Sequence, residues 1–355
     1  MQSGQQQDNH RGQQATAGQR YCVGVVGAGS IGCFLGAYLC QDSALDVKFF
    51  GREAMALELA AHGLRASSYR QHHYFAQPVA FYSSLSSLIE CDLVLLTVKA
   101  NALVPMLLEL KRYLRPEIPV VAMQNGIGIA EMLSQDIANP ILRAIIPFNV
   151  IKPKAGHFQQ ATAGNIIWQQ NTHKLVNYVI AVFNRLKLSV DVCLDITAAE
   201  YGKLLLNLNN ALNAITDIPL KQQLLDRDSR LILALAMQEW LAICAQAGVK
   251  PLRYTLLPNT LLPWLLRMPT SIFKRIAHVL LAIDPAARSS MWDDIQAKKR
   301  TEIMFLNGAV MRLGQHYHLP TPANSVLVDY IKQLEMGTFH SQSTQTLLKK
   351  IRQHA

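Results

Sequence analysis

Short apolar runs alternate with longer amphipathic segments between residue 21 and about residue 195 of the chain. A strand covered on both faces reads as such a run, and a helix that packs on a sheet has apolar positions three or four residues apart. This alternation predicts a largely parallel, doubly wound α/β sheet. The predicted strands are residues 21–26, 45–50, 93–98, 120–123, 142–147 and 166–168.

The strand pattern stops near residue 196, and helical periodicity replaces it over residues 197–214, 228–248, 292–316 and 324–336. A chain of 355 residues is expected to form two domains. We predict a sheet-containing domain over residues 21–196 and an all-helical domain over residues 197–355. Residues 1–20 are rich in glutamine and have no apolar stretch, which predicts a disordered tail and not a signal peptide.

A glycine-rich run joins the first predicted strand to the helix after it. It consists of Gly27, Ala28, Gly29, Ser30, Ile31 and Gly32. In a Rossmann-type domain, the first glycine of G-x-G-x-x-G allows a tight turn. The second lets the backbone approach a pyrophosphate, and the third permits close packing of helix and strand. Since strand, run and helix occur in this order, we predict a dinucleotide at the helix N-terminus.

The end of the second predicted strand bears on which dinucleotide binds. A site for NAD usually has an acidic residue there, which binds the ribose hydroxyls. This chain has Gly51 and Arg52 instead. An arginine can bind a 2′-phosphate through charge-assisted hydrogen bonds, so we favour NADPH and NADP⁺ as the cofactor pair. The alternative is that Arg52 only begins a solvated helix.

Net charge, cysteine spacing and the length of the apolar runs indicate which ligands and surroundings the chain suits. Half of the residues are hydrophobic, and the net charge is +10. The basic residues are scattered without a nucleic-acid motif, so the charge suits anionic small molecules better than nucleic acid. The six cysteines form no CxxC pair and no metal-ligand spacing, which predicts reduced thiols in a cytoplasmic protein and no metal site. No apolar run is long enough for a membrane span.

Polar residues at two predicted strand ends are candidates for the chemistry. Lys99 follows the strand at 93–98, and Asn125 follows the strand at 120–123. Ligands of such sheets bind beyond the carboxyl ends of the strands, so both residues should face the nicotinamide end of the cofactor. The alternatives are a surface lysine at Lys99 and a simple turn at Asn125 and Gly126.

The start of the helical domain carries a second set of candidates. Lys203 and Asn207 are four residues apart and share a helix face, and the leucines around them predict an apolar environment. Burial lowers the pKa of a lysine toward the range in which it can protonate an alkoxide as hydride reaches the carbonyl carbon. Lys203 is the candidate general acid, or else a helix-boundary lysine with no chemical role. The amides of Asn207, Asn209 and Asn210 need partners, which a bound substrate could supply.

Ser290 and Glu302 are the last candidates. Ser290 could bind a substrate carboxylate as an N-cap group, or could only cap its helix. Glu302 could accept a hydrogen bond from a substrate hydroxyl, or could be a first-turn acid on a solvated helix face. The spacing of these residues in the sequence does not distinguish between the two alternatives for either Ser290 or Glu302.

Together these motifs resemble the ketopantoate reductase family over residues 21–334. The resemblance rests on G-A-G-S-I-G at 27–32, T-V-K-A at 97–100, N-G-I-G at 125–128, K-L-L-L-N at 203–207, S-S-M-W-D-D at 289–294, R-T-E-I at 300–303, N-G at 307–308 and L-P-T-P-A-N-S at 319–325. It implies a Rossmann domain joined to a helical domain like that of the 6-phosphogluconate dehydrogenases, with the active site between them. It also implies NADPH-dependent reduction of 2-dehydropantoate to pantoate, on the route to pantothenate and coenzyme A.

The resemblance implies a role for each candidate residue. Lys203 matches the general acid of the family, and Glu302 matches an acid that contacts the substrate and that we also place at the cofactor. The remaining matches are Asn125 with a residue that contacts cofactor and substrate, Asn207 with a substrate-binding asparagine, Ser290 with a serine near the substrate carboxylate, and Arg52 and Lys99 with cofactor-side positions.

Three departures from the family pattern leave the substrate open. A second substrate asparagine is common where this chain has Ala211, and Asn210 lies about 100° away around the helix. Ala102 stands in place of a frequent glutamine, and the proline-rich apolar segment 255–283 is an addition. The alternatives are reduction of another 2-oxo acid and a non-catalytic NADPH-binding sensor. The expected partner is a small 2-oxo acid, without nucleic acid or membrane, and a homodimer is left open.

Overall fold

The computed structural model describes residues 20–277, 284–338 and 341–354. The strands are β1 (Tyr21–Val26), β2 (Leu45–Phe50), β3 (Leu64–Ser67), β4 (His73–Ala76), β5 (Ala80–Tyr82), β6 (Leu93–Leu96), β7 (Val120–Ala122), β8 (Ile141–Ile145), β9 (Val150–Lys154), β10 (His157–Gln160), β11 (Ile166–Gln169) and β12 (Val190–Cys193). The predicted tail, apart from Arg20, lies outside the described residues.

The α-helices follow the same chain order. They are α1 (Ser30–Leu39), α2 (Glu53–His62), α3 (Ala100–Tyr113), α4 (Ile129–Asp136), α5 (Lys174–Arg185), α6 (Ile196–Asn207), α7 (Asn209–Thr216), α8 (Leu220–Leu225), α9 (Arg227–Gln246), α10 (Leu262–Arg267), α11 (Thr270–Ile276), α12 (Ser290–Gln296), α13 (Asn307–His316), α14 (Pro322–Glu335) and α15 (Thr344–His354). None of these described helices is long and apolar enough to cross a bilayer.

Eight strands form one sheet in the order β12-β11-β8-β7-β6-β1-β2-β5. Every neighbouring pair is parallel except β8 and β11, so the prediction of a largely parallel sheet is confirmed. Apolar side chains of α1 and α5 pack on one face of this sheet, and those of α3 and α4 pack on the other. Both faces of the central strands are therefore covered, which explains their continuous apolar sequences.

A second sheet, in the order β4-β3-β10-β9, is not predicted by the sequence pattern. Its strands have four or five residues. β4 alternates exposed and half-buried residues, and β9 is exposed along most of its length. Strands of this kind lack the apolar run by which the central strands are recognised.

After β12, the described residues form helices, turns and loops only. The predicted helices at 228–248 and 324–336 are confirmed as α9 and α14, within two residues at each end. The predicted helix at 197–214 divides at Leu208 into α6 and α7. A continuous helix at 292–316 is wrong, because α12 ends at Gln296 and Lys298 has a left-handed φ of 52°.

The apolar segment after α9 packs on its own protein through a buried arginine. Arg230 of α9 donates hydrogen bonds to the carbonyl oxygens of Leu266 (3.1 Å) and Met268 (3.0 Å) and lies over the Phe273 ring. It therefore joins α10 to α11 with its full set of donors facing acceptors. Within the apolar segment 255–283, α11 ends at Ile276, and residues 278–283 lie outside the described residues.

The two halves of the chain meet at the carboxyl end of β7. The N–H of Ile127 donates to the carbonyl oxygen of Phe305 at 3.0 Å. Gly126 has a φ of 102°, and a Cβ there would lie 2.7 Å from the Cβ of Phe305. Glycine therefore permits a contact that any side chain would obstruct, and it brings the loop after β7 against residues 302–305.

Candidate active site

The glycine run forms the turn between β1 and α1. Gly27 has a φ of 102°, and a Cβ there would lie 2.8 Å from the carbonyl carbon of Thr97. A Cβ on Gly32 would lie 2.6 Å from Oγ1 of Thr97. At Gly29, by contrast, the nearest atom would be 4.0 Å away. Gly27 and Gly32 are thus required by the close approach of Thr97, just after β6, whereas Gly29 leaves open space beside the backbone.

The N-terminus of α1 adds donors to that open space. Its N-cap is Gly29, which has no side chain to accept from the first-turn N–H groups, and no acidic residue lies in that turn. The helix dipole places partial positive charge at this end. The arrangement fits a pyrophosphate, since it combines free donors with room for close approach.

Arg52 lies beside the same loop. It is the N-cap residue of α2, directly after Gly51, where a Cβ would lie 3.0 Å from the Cβ of Ala28. The Arg52 side chain is exposed and makes no hydrogen bond or ion pair within the described part of the chain. The next residue, Glu53, lies in the first turn of α2, where a carboxylate interacts favourably with the helix dipole.

Lys203 lies in α6 and reaches the end of β8. Its Nζ donates a hydrogen bond to the carbonyl oxygen of Ile146. Burial lowers the pKa of Lys203 from 10.5 to about 8, and the nearby carboxylate of Glu302 acts in the opposite direction. Desolvation dominates, so the sequence-based expectation of a lysine with a lowered pKa agrees with its environment.

Glu302 connects the helical half to the strand ends. Its Oε1 accepts a hydrogen bond from the N–H of Ala100 at 2.9 Å, and its carboxyl group also bonds to the side chain of Asn125. Burial raises the pKa of Glu302, while these two bonds and the charge of Lys99 lower it. Glu302 is half-buried at the start of a 3-10 helix and is not a first-turn acid on a solvated face. It brings Asn125, Lys99 and Lys203 into one site.

Lys99 has a partner that the sequence analysis missed. Its Nζ forms an ion pair with the carboxylate of Asp294 on α12, and 46% of the Lys99 side chain is exposed against 8% of Asp294. Asp294 stands in the S-S-M-W-D-D motif, so an acid in that motif was the available signal. The pair joins the strand-end loop after β6 to the helical half.

Ser290 does not cap its helix, so that part of the prediction is wrong. The N-cap of α12 is Ser289, whose Oγ accepts from the N–H of Trp292 at 3.2 Å and donates to the carbonyl oxygen of Asn210 at 3.1 Å. Ser289 is buried, whereas Ser290 is the first residue of the helix and is exposed. The cap fixes the helix and leaves the hydroxyl of Ser290 accessible.

The asparagines after Lys203 differ in their surroundings. The amide oxygen of Asn209 accepts a hydrogen bond from Gln223, so its partner is the protein and not a substrate. The buried Asn213 bonds to Gln223 and accepts from the N–H of Ser289 at 2.8 Å. The half-buried side chains of Asn207 and Asn210 make no hydrogen bond within the residues that the structure covers.

An ion pair that sequence reasoning missed fixes α6 against β8. Nη1 of Arg143 lies 2.8 Å from Oε2 of Glu200, and Nη2 lies 3.2 Å from Oγ1 of Thr197. Burial raises the pKa of Glu200 to about 7, against the opposing charge of Arg143. The pair stands one helical turn before Lys203, which itself bonds to Ile146 just after β8. No cluster of potential metal ligands lies among the described residues.

Two family models match this chain. Ketopantoate reductase PanE/ApbA matches residues 23–173, and Ketopantoate reductase PanE/ApbA C terminal matches residues 195–335. A curated 2-dehydropantoate 2-reductase from Vibrio cholerae is 26% identical over 272 residues, which cover 73% of this chain and 83% of that protein. Another from Archaeoglobus fulgidus is 24% identical and covers 89% of this chain and 98% of its own length.

Solved structures show the same fold. A PanE/ApbA family ketopantoate reductase from Ralstonia eutropha JMP134 superposes with a TM-score of 0.76 at 26% identity, covering 89% of this chain and 99% of that chain. D-mandelate dehydrogenase with NADH and anilino(oxo)acetate superposes with a TM-score of 0.70 at 20% identity, with the same coverage. The likeness to D-mandelate dehydrogenase concerns the fold alone.

Proposed function

The chain belongs to the ketopantoate reductase family, and we propose that it reduces 2-dehydropantoate to pantoate with NADPH, on the route to pantothenate. The observation that carries this proposal is the meeting of Lys203, Glu302 and Asn125 at the carboxyl ends of the parallel strands. Such strand ends are where α/β sheets bind their ligands. We assign residues 21–196 to the cofactor half and residues 197–355 to the half that carries the acid.

The glycine loop supports a nicotinamide dinucleotide as cofactor, with its pyrophosphate at Gly29 and the first turn of α1. Arg52 stands beside this loop without a protein partner in the described region, which supports binding of a 2′-phosphate and hence NADPH. NADH is the competing cofactor. Glu53 follows Arg52, and the D-mandelate dehydrogenase of similar fold was solved with NADH.

Lys203 is the proposed general acid. When bound, the reduced nicotinamide supplies hydride to the carbonyl carbon of the substrate. As hydride reaches that carbon, Nζ of Lys203 gives a proton to the oxygen of the carbonyl, which prevents a free alkoxide from forming. A pKa of about 8 keeps the ammonium protonated at neutral pH and makes it a stronger acid than a lysine in water. The Ile146 carbonyl engages one of its three N–H groups and so restricts its position.

The remaining candidate residues are proposed to bind the substrate or the cofactor. The amides of Asn207 and Asn210 and the exposed hydroxyl of Ser290 can donate to a carboxylate or a hydroxyl group. Glu302 can accept from a substrate hydroxyl, since a carboxylate has more acceptor sites than its bonds to Ala100 and Asn125 use. Lys99 and Asn125 are proposed to contact the cofactor from the ends of β6 and β7.

Turnover of NADPH with a panel of 2-oxo acids tests this proposal. The purified chain should consume NADPH fastest with 2-dehydropantoate, and the product should be pantoate by mass spectrometry. Tight NADPH binding without consumption for any 2-oxo acid would instead identify a sensor. A heat-inactivated sample and a Lys203→Ala sample control for background oxidation.

A second substrate class has support from one observation. The fold neighbour D-mandelate dehydrogenase was solved with anilino(oxo)acetate, an aromatic analogue of a 2-oxo acid, and this chain has Ala211 at a position where the family commonly has a substrate asparagine. The panel therefore includes phenylglyoxylate. A higher kcat/KM for phenylglyoxylate than for 2-dehydropantoate would identify an aromatic 2-oxo acid as the substrate. The proposed reduction would be unchanged.

A further inference from the structure

Two cysteines that take no part in the proposed reaction have their sulfur atoms 3.6 Å apart. Cys22 lies in β1, and Cys91 lies just before β6. Both are buried, with 9% of Cys22 and none of Cys91 exposed, and all six cysteines of the chain are free. Two thiols in contact are a candidate site for oxidation, because a disulfide needs two sulfurs that can approach each other.

The backbone holds these two sulfurs together. Cys22 lies in β1 and Asp92 directly precedes the neighbouring strand β6, and the N–H of Asp92 donates to the carbonyl oxygen of Cys22 at 2.7 Å. The N–H of Cys22 donates to Oδ2 of Asp92 at 2.9 Å. A Cβ on Gly24 would lie 3.0 Å from Sγ of Cys91, so this glycine leaves the space that the Cys91 sulfur occupies. These backbone bonds and the space at Gly24 therefore place the two cysteines side by side.

The surroundings make the two thiols unequal. The hydrogen bond between the two thiols lowers the pKa of Cys22, and the ammonium of Lys48 acts in the same direction, while burial and the carboxylates of Asp46 and Asp92 oppose them. The same hydrogen bond and burial raise the pKa of Cys91. Lys48 is held in place by an ion pair with Glu90. A thiolate is the nucleophile in thiol oxidation, and Cys22 is also the more exposed of the two residues, so we expect the Cys22 sulfur to react first.

The other cysteines lack this combination. Burial raises the pKa of Cys33, and it raises the pKa of Cys40 and Cys244 to about 12. No described cysteine other than Cys22 and Cys91 has its sulfur in contact with a second sulfur. Cys40 and Cys193 are more exposed than Cys22, so oxidation that followed exposure alone would affect those two residues first.

We propose that Cys22 and Cys91 form a reactive dithiol that a peroxide converts to a disulfide. The Cys22 thiolate attacks one oxygen of hydrogen peroxide, the O–O bond breaks, and the departing hydroxide takes a proton to become water. Cys22 is then a sulfenic acid. The Cys91 thiol loses its proton and attacks the Cys22 sulfur, which releases the hydroxyl as a second water and forms the S–S bond. Two electrons pass from the two thiols to one peroxide, and the oxidised sulfurs end about 2.05 Å apart.

Oxidation of the full chain followed by mass spectrometry tests the proposal. The protein is treated with a small excess of hydrogen peroxide, quenched with catalase, denatured, alkylated with N-ethylmaleimide and digested. We expect one linked peptide pair containing residues 22 and 91, four alkylated cysteines elsewhere, and full reversal by dithiothreitol. Alkylation of both Cys22 and Cys91, at a peroxide concentration that oxidises Cys40 or Cys193, would overturn the proposal.

Serine variants separate the roles of the two sulfurs. Cys91→Ser should leave Cys22 as a sulfenic acid that dimedone traps, whereas Cys22→Ser should leave Cys91 unmodified. Cys40→Ser and Cys193→Ser are the matched controls and should form the disulfide at the wild-type rate. Dimedone labelling at Cys91 in the Cys22→Ser variant would contradict the assigned order of reaction. Loss of the disulfide in the Cys40→Ser control, to the same extent as in Cys22→Ser, would contradict the assignment of the disulfide to Cys22 and Cys91.

Discussion

The glycine loop and helix α6 contribute to one site with different kinds of groups. In the loop, backbone atoms matter: Gly27 and Gly32 make room for Thr97, and Gly29 leaves space beside free N–H groups. In α6, a side chain matters, because burial lowers the pKa of Lys203 and the carboxylate of Glu302 opposes that shift. The loop can therefore hold a ligand without titrating, whereas α6 supplies a group whose charge depends on its surroundings. Variants in the two regions should affect different measured quantities.

Loss of the acid should have the largest effect. Lys203→Ala removes the proton donor, and we expect kcat to fall by about 10²- to 10⁴-fold, the usual contribution of general acid catalysis. The Kd for NADPH, measured by fluorescence titration, should change less than about threefold, because the glycine loop does not involve Lys203. Unchanged kcat would remove Lys203 from the mechanism. Lys349→Ala, on α15, is the control for loss of a lysine.

Alanine substitutions at Gly27 and Gly29 should affect different quantities, the first the stability of the fold and the second the affinity for NADPH. Gly27→Ala places a Cβ against the backbone of Thr97 at a positive φ, so we expect a loss of about 3 kcal/mol in the free energy of unfolding. Gly29→Ala has room for its Cβ in the free protein, and its thermal midpoint should stay near that of the wild type. That Cβ enters the proposed pyrophosphate site, so the Kd for NADPH should rise about tenfold. Equal melting behaviour of the two variants would contradict this division.

The difference between a local backbone pattern and a side-chain contact explains which features of the site the sequence predicts. The glycine loop and the central strands are local patterns, and the turn at Gly27 follows from contiguous residues. The burial of Lys203 was also predicted, because leucines flank it in the sequence. The Asp294 partner of Lys99 and the Arg143 partner of Glu200 were missed, since 195 and 57 residues separate those pairs. Ser290 was taken for a helix cap because neighbouring serines differ only in the backbone geometry that the fold gives them.

Arg52 should decide between the two cofactors. We expect Arg52→Ala to raise the Kd for NADPH by about 10- to 100-fold, as loss of one or two charge-assisted hydrogen bonds does. The Kd for NADH should change little, because NADH has no 2′-phosphate. Arg70→Ala is the matched control, since Arg70 is also exposed and lies over Tyr69, outside this loop. Equal weakening of both cofactors would refute the 2′-phosphate contact.

The pH dependence of turnover should come from α6 and not from the loop. A general acid acts in its protonated form, so kcat should decline as pH rises through the Lys203 pKa of about 8, by about tenfold for each further pH unit. The Kd for NADPH should stay nearly constant from about pH 7 to 9, since neither backbone N–H groups nor arginine titrate there. Stopped-flow single turnovers measure the hydride step apart from product release. A parallel decline of kcat and affinity would place the titrating group in the cofactor site.

The Arg143–Glu200 pair should have the smallest effect, and it tests whether the position of α6 matters as well as its lysine. Both side chains are 19% exposed, and the pair ties α6 to β8 one turn before Lys203. Below the Glu200 pKa of about 7, protonation removes the negative charge of Glu200 and weakens its ion pair with Arg143. We therefore expect kcat to decline modestly at acidic pH. Glu200→Gln resembles the protonated form at every pH.

Glu200→Gln should therefore lower kcat about two- to fivefold at pH 8 and abolish the acidic decline, while the alkaline decline from Lys203 persists. The Kd for NADPH should not change. Glu131→Gln is the control, because Glu131 is exposed, acts on Glu200 only through its charge, and has no ion pair among the described residues. If Glu200→Gln retained the acidic decline, the titrating group would lie elsewhere. Glu302, whose pKa is also raised, would then be the next residue to replace.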